Sequence, residues 1–218
     1  MKLLLVDDHV MFRQGLRHLL PAISPSLYVD EAATLDEAIE RCWRDSYELV
    51  LLDLGLHDSK GVQTLKQFRD AAPSVPVVVL SGDENPVNVR LCIEAGAHGY
   101  LPKTYTAEAL IKALRFIVDG GVYVPRLALQ APAPAAKAFP ETLARLTLRQ
   151  REVAQLMLKG LAYKVIAQQL RVSEGTVKAH VSSILQVLGV RSRVEAVLLA
   201  AREGATADDD DTASAGQS

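Results

Sequence analysis

The chain has 218 residues, 49% of them hydrophobic, and a formal net charge of −2. That length fits about two domains, and the hydrophobic fraction is enough to give each a core. Its two cysteines, Cys42 and Cys92, lack metal-ligand spacing, which argues against a cysteine-held metal and for small apolar core residues in a reducing compartment. The small net charge hides an asymmetry. Residues 1–125 sum to −5, 126–145 to +2, 146–204 to +5 and 205–218 to −4. A basic rear half behind an acidic front half suits an anionic partner, most simply nucleic acid, although surface variation explains the charge equally well.

The first apolar run, Leu3 to Val6, is too short for a signal peptide, and no later stretch reaches membrane-spanning length. The expectation is a cytoplasmic protein with no membrane partner. Five short apolar runs then read as strands: "KLLLV" (2–6), "LYVD" (27–30), "ELVLLD" (48–53), "VPVVVL" (75–80) and "HGYL" (98–101). Segments of helical period lie between them. Phe12, Leu16, Leu19 and Leu20 share one face of residues 10–20. Leu35, Ala38, Ile39 and Cys42 share another, with Thr34 and Glu37 as a capping box. Residues 106–121 place Leu110, Ala113, Leu114 and Ile117 inward and end at glycine. Alternating strands and helices predict a flavodoxin-like α/β domain around a five-stranded parallel sheet, residues 1–125.

Residues 126–145 are rich in Ala and Pro and read as a linker with extended stretches. Residues 146–204 are helical throughout, forming a small four-helix domain, and 205–218 read as a disordered acidic tail.

The first, third, fourth and fifth strands end on or beside Asp7 and Asp8, Asp53, Ser81 and Lys103. Functional groups collect at the carboxyl ends of strands in open parallel sheets. Three clustered carboxylates favour a hard divalent cation with oxygen ligands, most simply Mg²⁺, and a carboxylate left with a free oxygen can attack phosphorus. "LLLVDDH", "LLDLGLHDSKG", "VVLSG" and "EAGAHGYLPK" together resemble the receiver domain of two-component response regulators. The resemblance implies that Asp53 is the phosphoacceptor. It also implies that Asp8 binds Mg²⁺ directly and Asp7 through water, with Asp53 and the Gly55 carbonyl as further ligands. Ser81 and Lys103 would contact the phosphoryl group, and Tyr100 would turn inward on activation. His57 and Thr104 stand where the family usually has proline. His57 reads as a solvent-facing loop residue rather than an extra metal ligand, and His9 as a pocket-edge residue.

In the rear half Thr147 and Gln150 form a capping box, and Val153, Leu156 and Met157 the apolar stripe of the first helix. A short second helix, 162–170, carries apolar Val165, Ile166 and Leu170. Ser173 caps a third, 174–189, with Val177, Val181, Ile184, Leu185 and Leu188 inward. Its other face presents Gly175, Lys178, Ala179 and Ser182 at one-stripe spacing, which suits a helix entering a major groove. Ser192 and Glu195 open the last helix. Residues 146–197 closely resemble the LuxR-type helix-turn-helix of NarL/FixJ response regulators. That likeness assigns DNA contact to the helix 174–188, through Thr176, Lys178, Ala179, His180 and Ser182, and dimerisation to the last helix. Tyr163 and Val165 depart from the usual asparagine and glutamate.

The two resemblances together imply a DNA-binding transcriptional response regulator rather than an enzyme. A sensor histidine kinase would switch it through Asp53, and it would act on promoter DNA as a homodimer when phosphorylated or DNA-bound. An aspartyl-nucleophile phosphatase is the alternative for the front half, but such enzymes carry a second carboxylate where this chain has Gly55. A ligand-sensing regulator with the same rear half is disfavoured by the charged set at the strand ends.

Overall fold

The computed structural model describes every residue except Pro25, 124–127, 130–142 and 202–218. Five parallel strands lie in the order β2-β1-β3-β4-β5: β1 Lys2–Val6, β2 Tyr28–Ala32, β3 Leu49–Asp53, β4 Val77–Ser81 and β5 Gly99–Pro102. The pleat divides their side chains by parity. Leu4, Val50 and Val77 are register partners on one face, and Leu5, Leu51 and Val78 on the other. The first face packs under α2 (Leu35–Arg44), α3 (Val62–Ala71) and α4 (Pro86–Glu94) through Ala38, Phe68 and Ile93. The second packs under α1 (Val10–Leu19) and α5 (Ala107–Val118) through Leu16 and Leu114. Covering on both faces explains why β3 and β4 are apolar until their last residue.

The strand and helix readings hold within two residues at each end, except that α5 stops at Val118, three residues short of the expected end. Periodicity does not delimit α3 and α4; Asn85 marks the second, accepting the Val87 N–H at 2.9 Å with Pro86 at the first helical position. Thr34 accepts the Glu37 N–H at 3.1 Å, but the Glu37 carboxylate reaches one residue past the box to the Ala33 N–H, at 2.9 Å. Glu195 repeats this, accepting the Arg191 N–H at 2.7 Å. Thr147 and Gln150 close the full reciprocal box.

The helical half comprises α6 (Leu148–Leu158), α7 (Tyr163–Leu170), α8 (Glu174–Leu188) and α9, residues 193–201. Val153, Met157, Ile166, Val177, Val181 and Ile184 form its core. Val165 is exposed, and α7 buries Ile166 and Ala167. The inward stripe runs through 163, 166, 167 and 170, which leaves 165 off it. Within the expected linker, Ala128 and Leu129 are helical and Ala128 is buried. Apart from residues 143–145, the rest of that linker and the acidic tail fall outside the described residues.

The halves touch. Val194 and Leu198 of α9 join the core cluster that includes Val122, and Arg193 donates to the carbonyls of Gly120 and Leu161. Gly120 has φ +80, and a Cβ there would lie 2.5 Å from Cδ2 of Tyr163, so the joint requires glycine.

Candidate phosphoacceptor pocket and nucleic-acid interface

The strand order reverses between β1 and β3, and the crevice at their carboxyl ends holds the predicted set. Asp7 follows β1, Asp53 ends β3, Ser81 ends β4, and Lys103 follows β5, its backbone N–H donating to the Ser81 carbonyl at 2.8 Å. Asp7 and Asp53 are buried, at 0% and 2% exposure. Charges so placed need partners. Lys103 Nζ lies 2.8 Å from both Asp7 Oδ2 and Asp53 Oδ2. Burial acts to lower the Lys103 pKa, but its bonds to Asp53 and Asp7 outweigh it and hold the ammonium above its ordinary value.

One ammonium does not balance three carboxylates. Ligand atoms of Asp7, Asp8, His9 and Asp53 lie within 4.8 Å of one another, as a divalent cation requires. The donor set is mostly hard oxygen and carries excess negative charge, so Mg²⁺ fits it. Gly55 leaves the Asp53 carboxylate uncovered, since a Cβ there would stand 3.5 Å from Asp53 Oδ2. The crevice opens into a cavity of about 730 Å³ lined by Phe12, Asp53, Gly55, Ser81 and Lys103.

Both pocket histidines bear on Asp8. His9 Nδ1 is 2.7 Å from Asp8 Oδ1 and 3.2 Å from Asp7 Oδ1, and His57 Nδ1 pairs with Asp8 Oδ2. The His57 side chain is 87% exposed, so it faces solvent as expected while also touching a predicted metal ligand. Ser81 Oγ accepts the Asp83 N–H at 3.1 Å, and the Tyr100 hydroxyl donates to the Asp83 carbonyl. Tyr100 is fully buried. Burial pushes its phenol pKa up to about 12.

Sequence reasoning missed Phe12, whose ring centroid lies 4.6 Å from Lys103 Nζ. In the sequence it reads only as one member of an apolar stripe. Arg193 was missed as well. It is buried at 6% exposure and stacks on the Tyr163 ring at 4.5 Å, with no carboxylate paired to it among the described residues. Burial lowers its pKa.

On α8 the predicted DNA face is presented as expected. Thr176, Lys178, Ala179 and Ser182 are exposed and His180 is partly so, while Val177, Val181 and Ile184 anchor the other face. Ser173 caps the helix, accepting the Thr176 N–H at 3.0 Å. Arg171, in the turn before it, adopts a left-handed conformation with φ 54. Lys178 Nζ rests 5.7 Å from the Tyr163 ring and has no ion pair among the described residues.

Residues 3–115 match the response regulator receiver domain, and 144–200 match the luxR family of bacterial regulatory proteins. The chain is 35% identical over 208 residues to the glycerol metabolism activator of Pseudomonas putida, covering 91% of this chain and 94% of that one. It is 34% identical over 200 residues to the nitrate/nitrite response regulator protein NarL of Escherichia coli strain K12, covering 90% and 93%. Among solved structures, Salmonella typhimurium RcsB aligns with a TM-score of 0.56 at 23% identity, over 87% of this chain and 92% of that one. This last likeness concerns the fold. Among the described residues, no helix is long and apolar enough to cross a membrane.

Proposed function

The chain belongs to the two-component response regulators that join a receiver domain to a LuxR-type helix-turn-helix, a family of DNA-binding transcription regulators, and from that premise we propose that Asp53 is its phosphoacceptor. The observation that carries the proposal is the Asp53 carboxylate itself. It is buried at the end of β3, 2.8 Å from Lys103, with Gly55 leaving its approach clear. The donor is the phosphohistidine of a partner sensor histidine kinase. The P–N bond breaks, a P–O bond to the Asp53 carboxylate forms, and the imidazole nitrogen keeps the electron pair. Asp7, Asp8, Asp53 and the Gly55 carbonyl would hold Mg²⁺, which when bound neutralises charge on the phosphoryl oxygens.

The chain's own groups do the rest. Lys103 follows the charge from the carboxylate to the phosphoryl group. The Ser81 oxygen accepts from Asp83, leaving its proton for a phosphoryl oxygen. Tyr100 and Ser81 both bond Asp83, so the 81–84 loop is where the phosphorylated state is felt. That state biases the contacts between the halves, releasing α9, whose Val194 and Leu198 pack on the receiver core, while α8 enters the major groove through Thr176, Lys178, Ala179, His180 and Ser182. The protein acts in the cytoplasm on promoter half-sites as a homodimer, formed through α9, and has no catalytic turnover of its own. An aspartyl phosphatase would carry its acid/base carboxylate two residues after the nucleophile, and that position is Gly55.

Acetyl phosphate with intact-mass detection tests the acceptor. The wild-type protein gains one phosphoryl group and Asp53→Asn none; equal labelling of the variant would refute the assignment.

A further inference from the structure

Lys103 pairs with Asp7 and Asp53, and its ammonium also lies over an aromatic face. The Phe12 ring lies beneath the ammonium, with Nζ 4.6 Å from the centroid. Phe12 sits at the start of α1, partly buried, and lines both the cavity over Asp53 and the adjoining groove with Leu16 and Leu80. We propose that Phe12 is a positioning residue for Lys103, its ring face holding the ammonium in line with Asp7 and Asp53 during phosphoryl transfer. The inference rests on Asp53 being the acceptor.

The physical case is one of charge and order. A lysine side chain has a long flexible stem, and fixing its head between two carboxylates costs rotamer entropy. The backbone bond from Lys103 to Ser81 anchors only the base of that stem. A third carboxylate would hold the head more strongly but would add negative charge to a pocket that already carries Asp7, Asp8 and Asp53 and must accept a phosphoryl group. An aromatic face attracts the cation through its quadrupole and adds no net charge. Because that attraction persists over the ring face out to about 6 Å from its centroid, the ammonium can follow charge from the Asp53 oxygen to a phosphoryl oxygen without losing its support.

Phe12 also belongs to the apolar stripe of α1, and ordinary packing against Leu16 and Leu80 would require only an apolar residue of similar size. The two roles separate under substitution. Phe12→Leu keeps apolar volume and removes the ring face, whereas Phe12→Tyr keeps the face. The test is the rate of labelling by acetyl phosphate at saturating donor and Mg²⁺, with melting temperatures measured alongside. Phe12→Leu should label roughly three- to tenfold more slowly than wild type while Phe12→Tyr stays within about twofold. Should Phe12→Leu fail to fold, Phe12→Met carries the same comparison. Labelling of the aliphatic variant at the wild-type rate overturns the inference, as does a Tyr variant as slow as the aliphatic one. Asp53→Asn, run in parallel, separates the two claims. If it is labelled normally the acceptor assignment fails; if it is unlabelled while Phe12→Leu is normal, only the role of Phe12 fails.

Discussion

Lys103 and Lys178 serve the two functional regions, and both rest near an aromatic ring, at 4.6 Å and 5.7 Å from the centroid. Their surroundings otherwise differ. Lys103 is half-enclosed and pinned by two buried carboxylates, whereas Lys178 stands exposed on α8 with no ion pair among the described residues. One lysine balances charge the fold has already buried, and the other waits for an anion from outside. The receiver pocket is therefore a problem of internal electrostatics, coupled to folding. On the proposed function, the helix surface is an interface whose energetics appear only when DNA arrives.

If that contrast is right, the two lysines fail differently. Lys103→Ala leaves Asp7 and Asp53 buried without their cation and should cost about 3–5 kcal/mol of stability. Added Mg²⁺ should recover more of the urea midpoint in the variant than in the wild type; an unchanged midpoint without metal would break the comparison. His98 sharpens it from the same domain. Partly buried, with Arg69 beside it rather than a carboxylate, this imidazole has its pKa lowered to about 4, so it gives up its charge where Lys103 keeps one. Its ordinary unfolded value is about 6.5, so the unfolded chain takes up the proton first. Stability is then complete above about pH 6.5, and roughly 3 kcal/mol is lost as pH falls to about 4. Urea midpoints across that window should fall less steeply for His98→Gln than for wild type, and parallel curves would remove His98 from the explanation.

Smaller effects fall on the helical side and the joint. Lys178→Ala should weaken a specific DNA site by roughly 1–3 kcal/mol while leaving the melting temperature unchanged. A binding isotherm equal to wild type would take Lys178 out of the interface. At the joint, Gly120→Ala combines a left-handed backbone with a Cβ 2.5 Å from the Tyr163 ring, for about 1–2 kcal/mol. Calorimetry should show the loss, and it should shrink when Tyr163→Ala removes the facing ring.

Legibility in the sequence follows the same division. Asp7, Asp53, Ser81 and Lys103 stand out because each interrupts or closely follows an apolar run at a strand end, and parallel topology gathers those ends on one edge. The inward faces of α1, α2, α5, α6 and α8 follow from period. What escapes is whatever depends on two elements meeting at an angle. Phe12 reads as one more apolar residue until α1 is laid beside β5. His57 reads as a loop residue until the β3 loop returns toward Asp8. Arg193 carries no sign that its charge will be buried, because its acceptors are backbone carbonyls of Gly120 and Leu161, distant in the chain.

The central claim is that phosphorylation of Asp53 governs DNA binding, and the direct measurement is a DNA titration of the full chain with and without acetyl phosphate, on wild type and Asp53→Asn. The wild-type affinity should rise with the phosphodonor and that of Asp53→Asn should not move. An equal response in the two proteins would contradict it.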